Sequence, residues 1–188
     1  MANTDLMIDL ETLATSNDAA IVTMAAIRFD PHADYSKIKV EDLPTHQVMY
    51  RRIDLDSCTA LGCKVNEETI NWWATQSKEA QDEAFGDHER TSVMDAIKQL
   101  NKFSVGVDEF WCQGPLFDYA ILQNLYAQLE TPVPWNYWQI RDSRTLFGML
   151  PEDPRKGIQM DLHNALADCY FQAKSVQKAY KRFGVKKR

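Results

Sequence analysis

A chain of 188 residues, 45% hydrophobic and 26% charged, is long enough for one domain spanning 1–188 with its own core, and too apolar to be disordered. Its formal net charge of −6 excludes a general cationic coat of the kind that holds duplex DNA by neutralising phosphates. There is no run of about 18 apolar residues to span a bilayer, and "MANTDLMIDL" lacks a positive stretch before its short apolar one, so a cytoplasmic protein without membrane contact is expected.

Residues 5–10 read as a strand and "AIVTMAAIRFD" (20–30) as a second, separated by the turn-forming "TSND". "THQVMYRRID" (45–54) reads as a third. Asn66 is a candidate cap for a helix through "EETINWWATQSKEAQDEAF", with Ile70, Trp73, Ala80 and Phe85 as an approximate apolar stripe. "TSVMDAIKQLNKF" follows as a helix with Val93, Ile97 and Leu100 on one face. "DEFWCQG" reads as a buried strand and "LFDYAILQNLYAQL" as a helix, then "TPVPW" as loop and "DSRTLFGML" as a short helix. A final helix from Asn164 to about Phe183 carries Leu166, Cys169, Ala173, Val176, Tyr180 and Phe183 three and four apart. Three antiparallel strands followed by β/α crossovers predict an α/β fold, a mixed sheet flanked by helices.

The four cysteines, Cys58, Cys63, Cys112 and Cys169, lack CxxC spacing, which predicts reduced thiols and neither a zinc site nor a disulfide framework. The ending "KRFGVKKR" holds five Lys and Arg in eight residues. It is either a local grip for nucleic acid or a cation-favouring helix end with a solvated tail. A homodimer is the expected assembly, the commonest closed one.

Two carboxylates, Asp9 and Glu11, interrupt the first strand. Side chains two apart on a strand share a side, so the pair projects together while Ile8 and Leu10 face the other layer. Stripping such groups of water without a partner is costly, and a shared divalent cation is the compensation that this geometry suits. Asp118 stands at a helix start just past a strand end, where open α/β sheets place ligand-binding groups, although the helix dipole alone also favours an acid there. His163 precedes Asp168 by five residues. On one helix the two would point about 140° apart, so they can meet only if the histidine stands on the entering loop with Asn164 as cap. Hard oxygen ligands favour Mg²⁺ or Mn²⁺ over zinc.

Together these segments resemble the motifs of the DEDDh 3'-5' exonucleases, which have the ribonuclease H-like fold: "DLET" on a first strand, "FD" opening a later helix and "HxxxxD" at the last helix. "MIDLETLATSNDAAIV" with "ETINWWATQS" is more specifically similar to a small bacterial and phage exoribonuclease-like subgroup. One departure is Gln113-Gly114, where many members carry His-Asn. The resemblance implies two Mg²⁺ ions, with Mn²⁺ able to substitute, held by Asp9, Glu11, Asp118 and Asp168 roughly 3.5 to 4 Å apart. It also implies His163 as general base, its ordinary pKa of about 6.5 raised by the acids and lowered by the cations. Thr12 and Leu13 would meet the terminal nucleotide through backbone and an apolar wedge. Trp73, of the Trp72–Trp73 pair, and Phe117 are candidates for stacking a base, against a reading of the indole pair as core with one of the two facing the site, and of Phe117 as core. The implied substrates are 3' ends of single-stranded RNA or short oligonucleotides, cut to nucleoside 5'-monophosphates. A 3'-5' DNA exonuclease, or a proofreading-type module serving a polymerase or repair partner, is the alternative.

Overall fold

The computed structural model describes residues 4–35, 37–156 and 163–187. At its centre is β1 (Asp5–Thr12), buried along nearly its whole length. It pairs antiparallel with β2 (Ile21–Phe29) and parallel with β4 (Glu109–Cys112). The sheet is completed by β3 (Val48–Arg52), antiparallel to β2, and by β5 (Ile140–Asp142), parallel to β4, in the order β3-β2-β1-β4-β5. The mixed sheet flanked by helices is the expected α/β arrangement, consistent with a ribonuclease H-like fold.

Alternation along β1 divides the core. Leu6, Ile8 and Leu10 join the cluster that holds Ile97 and Leu100 of α4 (Val93–Phe103) and Leu122 and Leu125 of α5 (Asp118–Gln128). Met7 points the other way, packing in a second cluster with Cys169, Ala173 and Val176 of α7 (Ala165–Phe183) and Phe147 of α6 (Ser143–Gly148). The acids of β1 therefore lie under α7, because Asp5, Asp9 and Glu11 share the odd-numbered face with Met7.

Several boundaries differ from expectation. A short helix, α1 (Leu55–Ala60), capped by the Asp54 side chain, follows β3, and the three-residue edge strand β5 stands between the expected loop "TPVPW" and the expected short helix, where the sequence signals no element. The single helix expected over 67–85 is two, α2 (Glu67–Trp73) and α3 (Lys78–Phe85), because the Ser77 side chain accepts from Ala80 N–H and starts a new helix. The expected stripe is correspondingly broken, with Ile70 and Phe85 exposed and Trp73 and Ala80 buried. On α7 the stripe is buried through Cys169, Ala173 and Val176, while Phe183 in its last turn is exposed.

The basic tail lies away from the site end. Lys187 approaches Asp30 at 3.5 Å, and Asp30 follows Phe29, which pairs with Asp5 at the start of β1. Asp168 and Phe183 are 15 residues apart on α7, about 22 Å along the axis. All four cysteines are buried and unpaired. Among the described residues no helix is long and apolar enough to cross a membrane.

Candidate active site

The site forms where β1 runs out. Pairing with β4 covers only Asp5 to Met7, and β4 then leaves the sheet through Gln113–Phe117 into α5. That turn requires Gly114 at φ +128°, a backbone conformation that L side chains rarely adopt. The departing strand leaves the Leu10 N–H without a sheet partner, and it donates to Asp118 Oδ1 at 3.2 Å, fastening the start of α5 to β1. Just beyond Glu11 the β1–β2 register slips, a bulge of the kind that ends pairing and redirects side chains.

The third part of the site arrives with α7. Asn164 caps this helix by accepting from the N–H groups of Leu166 and Ala167. His163 is thus off the helix, at φ +69°, and its own N–H hydrogen-bonds the Asp168 carboxylate in the first turn. Histidine and aspartate reach one place because of that left-handed residue. The His163 ring lies edge-on to Trp72, with centroids 4.6 Å apart.

Asp9, Glu11 and Asp168 each offer a carboxylate oxygen, all within 4.8 Å of one another. Asp118 stands on the same cavity of about 630 Å³, with His163, Gln113, Phe117, Arg144, Arg155 and Gln172 on its walls. Burial is the largest cause of the acids' upward shifts: Asp168 to about 6, Asp118 to about 7, Glu11 to about 8, and Asp9 well above the usual carboxylate range. For Asp9 and Glu11 the neighbouring carboxylates add repulsion. Asp118 and Asp168 sit in helix first turns, whose dipoles favour anions, yet desolvation outweighs that help.

One turn after Asp168, Gln172 donates from Nε2 to Asp9 Oδ1 at 2.8 Å, while its buried Oε1 finds no partner among the described residues. Nearby thiols are unsuited as ligands: burial holds Cys112 and Cys169 protonated, and Cys169 Sγ points to the carbonyls of Met7 and Ala25. What remains is an all-oxygen donor set with excess negative charge, which fits a hard divalent cation. Burial lowers the pKa of His163. It is therefore neutral and able to accept a proton at pH 7.

The expected nucleotide-contacting residues divide. Thr12 is buried, its hydroxyl donating to the Ala14 carbonyl at 2.7 Å, and Leu13 is packed with Val22, Ala80 and Ala84, so its side chain stands in the core and not as a wedge. Trp73 is a correction. It is 3% exposed and donates from Nε1 to the Thr12 carbonyl at 2.9 Å, whereas Trp72 is 41% exposed. Adjacent residues on a helix point about 100° apart, so one indole braces the strand and the other faces outward. Trp72 lines a second cavity of about 370 Å³ with Glu11, Thr12, Asn66 and Phe117. Phe117 borders both cavities.

Sequence reasoning missed Gln172 and Arg144. Gln172 had a signal, since it lies four residues after Asp168 on the same helix face. Arg144 had none: the short helix that carries it is expected, but its place on the cavity follows from the pairing of β5 with β4, which no local pattern announces.

The model of the 3'-5' exoribonuclease Rv2179c-like domain matches residues 4–180. An exodeoxyribonuclease of Enterobacteria phage T4 is 27% identical over 161 residues, covering 75% of this chain and 69% of the phage protein. Both are consistent with the DEDDh exonuclease pattern. The chain belongs to the Rv2179c-like 3'-5' exoribonuclease family.

Proposed function

We propose that this protein removes nucleoside 5'-monophosphates from the 3' ends of single-stranded nucleic acid, RNA or short oligonucleotides favoured, with two Mg²⁺ ions for which Mn²⁺ can substitute. The observation that carries this reading is the convergence of Asp9, Glu11, Asp118 and Asp168, from separate parts of the chain, on one cavity. These four would hold the cations, Gln172 orienting Asp9 through its amide. When bound, such cations activate a water for attack and stabilise the leaving 3' oxygen. His163, kept neutral by burial and free of the α7 backbone, is the base that takes the proton of the attacking water. Its ring is held against Trp72, so a nucleoside entering the smaller cavity meets the wall that also positions the base. The backbone around Thr12, the Trp72 ring and Phe117 would grip that terminal nucleoside without reading its sequence.

A DNA substrate is the second reading, favoured by the phage relative's name. Matched 5'-labelled RNA and DNA oligonucleotides incubated with Mg²⁺ decide between them. Laddering from the 3' end that is faster on RNA is the expected result; faster loss of DNA reverses the preference, and no laddering on either removes the reading.

A further inference from the structure

The larger cavity carries positive as well as negative charge. Arg144, Arg155 and Lys156 all line it, in a chain of net charge −6. They are not equivalent. Asp153 clamps Arg155, Oδ1 receiving Nε at 2.9 Å and Oδ2 receiving Nη2 at 2.7 Å, so that cation is neutralised locally. The Arg144 side chain donates from Nη2 to the Gln113 carbonyl at 3.0 Å and forms no ion pair among the described residues. A guanidinium has five N–H donors in a planar fork; the Gln113 carbonyl takes one, and the charge, which also acts on Asp118, faces the site.

Its place in the fold is also informative. Arg144 follows the end of β5 as Asp118 follows the end of β4, and the two strands are parallel neighbours. Both residues therefore stand at the carboxyl edge of the sheet, where α/β folds present ligand contacts. The smaller cavity shares Leu10, Glu11 and Phe117 with the larger one, but Arg144 lines only the larger. A strand that puts its terminal nucleoside beside Trp72 and its scissile phosphodiester over the carboxylates continues into the part of the cavity that Arg144 faces.

Resting on the exonuclease reading, we propose that Arg144 is a phosphate-binding residue, gripping the phosphodiester immediately 5' to the scissile one, so that efficient cleavage needs two anionic linkages. The competing role is structural, with Arg144 only bracing the Gln113–Gly114 turn.

Two 5'-labelled oligonucleotides separate these roles, one with ordinary phosphodiesters throughout and one with a neutral methylphosphonate as the second linkage from the 3' end. The first cleavage event is followed in Mg²⁺. The wild-type protein is expected to cut the methylphosphonate strand about tenfold less efficiently, mainly through KM, the scale of one charge-assisted hydrogen bond. Arg144→Ala should lose a similar factor on the ordinary strand and cut both strands alike, with Arg144→Lys restoring part of the discrimination. A bracing role instead lowers both rates and keeps their ratio, so an unchanged ratio in Arg144→Ala overturns the proposal. Wild-type cleavage without discrimination overturns the grip alone. Failure of the wild-type protein to cut either strand overturns the exonuclease reading and the grip together.

Discussion

The same face of β1 carries buried acid at both of its ends, and the two ends behave differently. Asp5 is desolvated and its pKa is raised to about 6, but each carboxylate oxygen has a donor, Trp111 Nε1 at 2.8 Å and Thr4 Oγ1 at 2.9 Å. Six residues on, Glu11 is likewise buried and raised, to about 8, and the groups that face it are other carboxylates. Burial alone therefore does not mark a functional acid. Donors make Asp5 part of the framework; the converging acids around Asp9 and Glu11 leave a charge that only a ligand offsets.

Substitutions at the two ends should separate most sharply in turnover. Asp9→Asn is expected to reduce Mg²⁺-dependent hydrolysis on the order of 1,000-fold, comparable to removing a principal electrostatic stabiliser of a transition state, while Asp5→Ala leaves turnover intact. Single-turnover assays on a labelled oligonucleotide measure both, and strong residual cleavage by Asp9→Asn would falsify the site assignment.

Stability should invert that order. Asp5→Ala orphans the buried indole N–H of Trp111 and is expected to cost about 1–3 kcal/mol in a denaturant titration run below the raised pKa of about 6, where Asp5 is protonated in the native state. Asp9→Asn removes repulsion and should leave the metal-free fold as stable or more so. Conversely, Mg²⁺ at 100 times its dissociation constant should stabilise the wild-type and Asp5→Ala proteins by about 2.7 kcal/mol, and Asp9→Asn far less. Equal protection of Asp9→Asn would place the bound ion elsewhere.

The pH dependence of the metal-free protein sharpens the contrast further. All these carboxyl groups have folded pKa values above their ordinary ones, so the native state binds more protons than the unfolded chain and stability falls as pH rises. Asp5 and Asp168 contribute to the fall between about pH 4 and 6; Glu11 and Asp118 extend it to about 7 or 8. In chelator the melting temperature is expected to drop steadily from pH 5 to 8. Glu11→Gln should flatten the upper part of that profile and Asp5→Asn the lower part. A melting temperature that climbs over this range would contradict the assigned environments.

The smallest effects are expected at the paired indoles. Trp72→Ala should raise KM about tenfold by removing a stacking surface, with little change in melting temperature. Trp73→Phe deprives the buried Thr12 carbonyl of a donor and should lower stability by about 1 kcal/mol. Reversed phenotypes would exchange their roles.

What local patterning reveals here is what depends on one segment at a time. The spacing of Asp9 and Glu11 determined their common side, since alternation is a property of any strand. Asn164 as a cap determined that His163 stands outside the helix, and the apolar stripe of α7 revealed which face is buried. Where a cap inside a segment competed with the stripe, as at Ser77, periodicity misled. Packing alone decided the rest: that the early end of β4 brings Asp118 to Leu10, that Trp72 and not Trp73 faces the cavity, and that an edge strand delivers Arg144. Contacts of this kind join residues 108 positions apart at Leu10 and Asp118 and 163 apart at Asp9 and Gln172, and no local periodicity encodes them because they follow from strand order and layer packing.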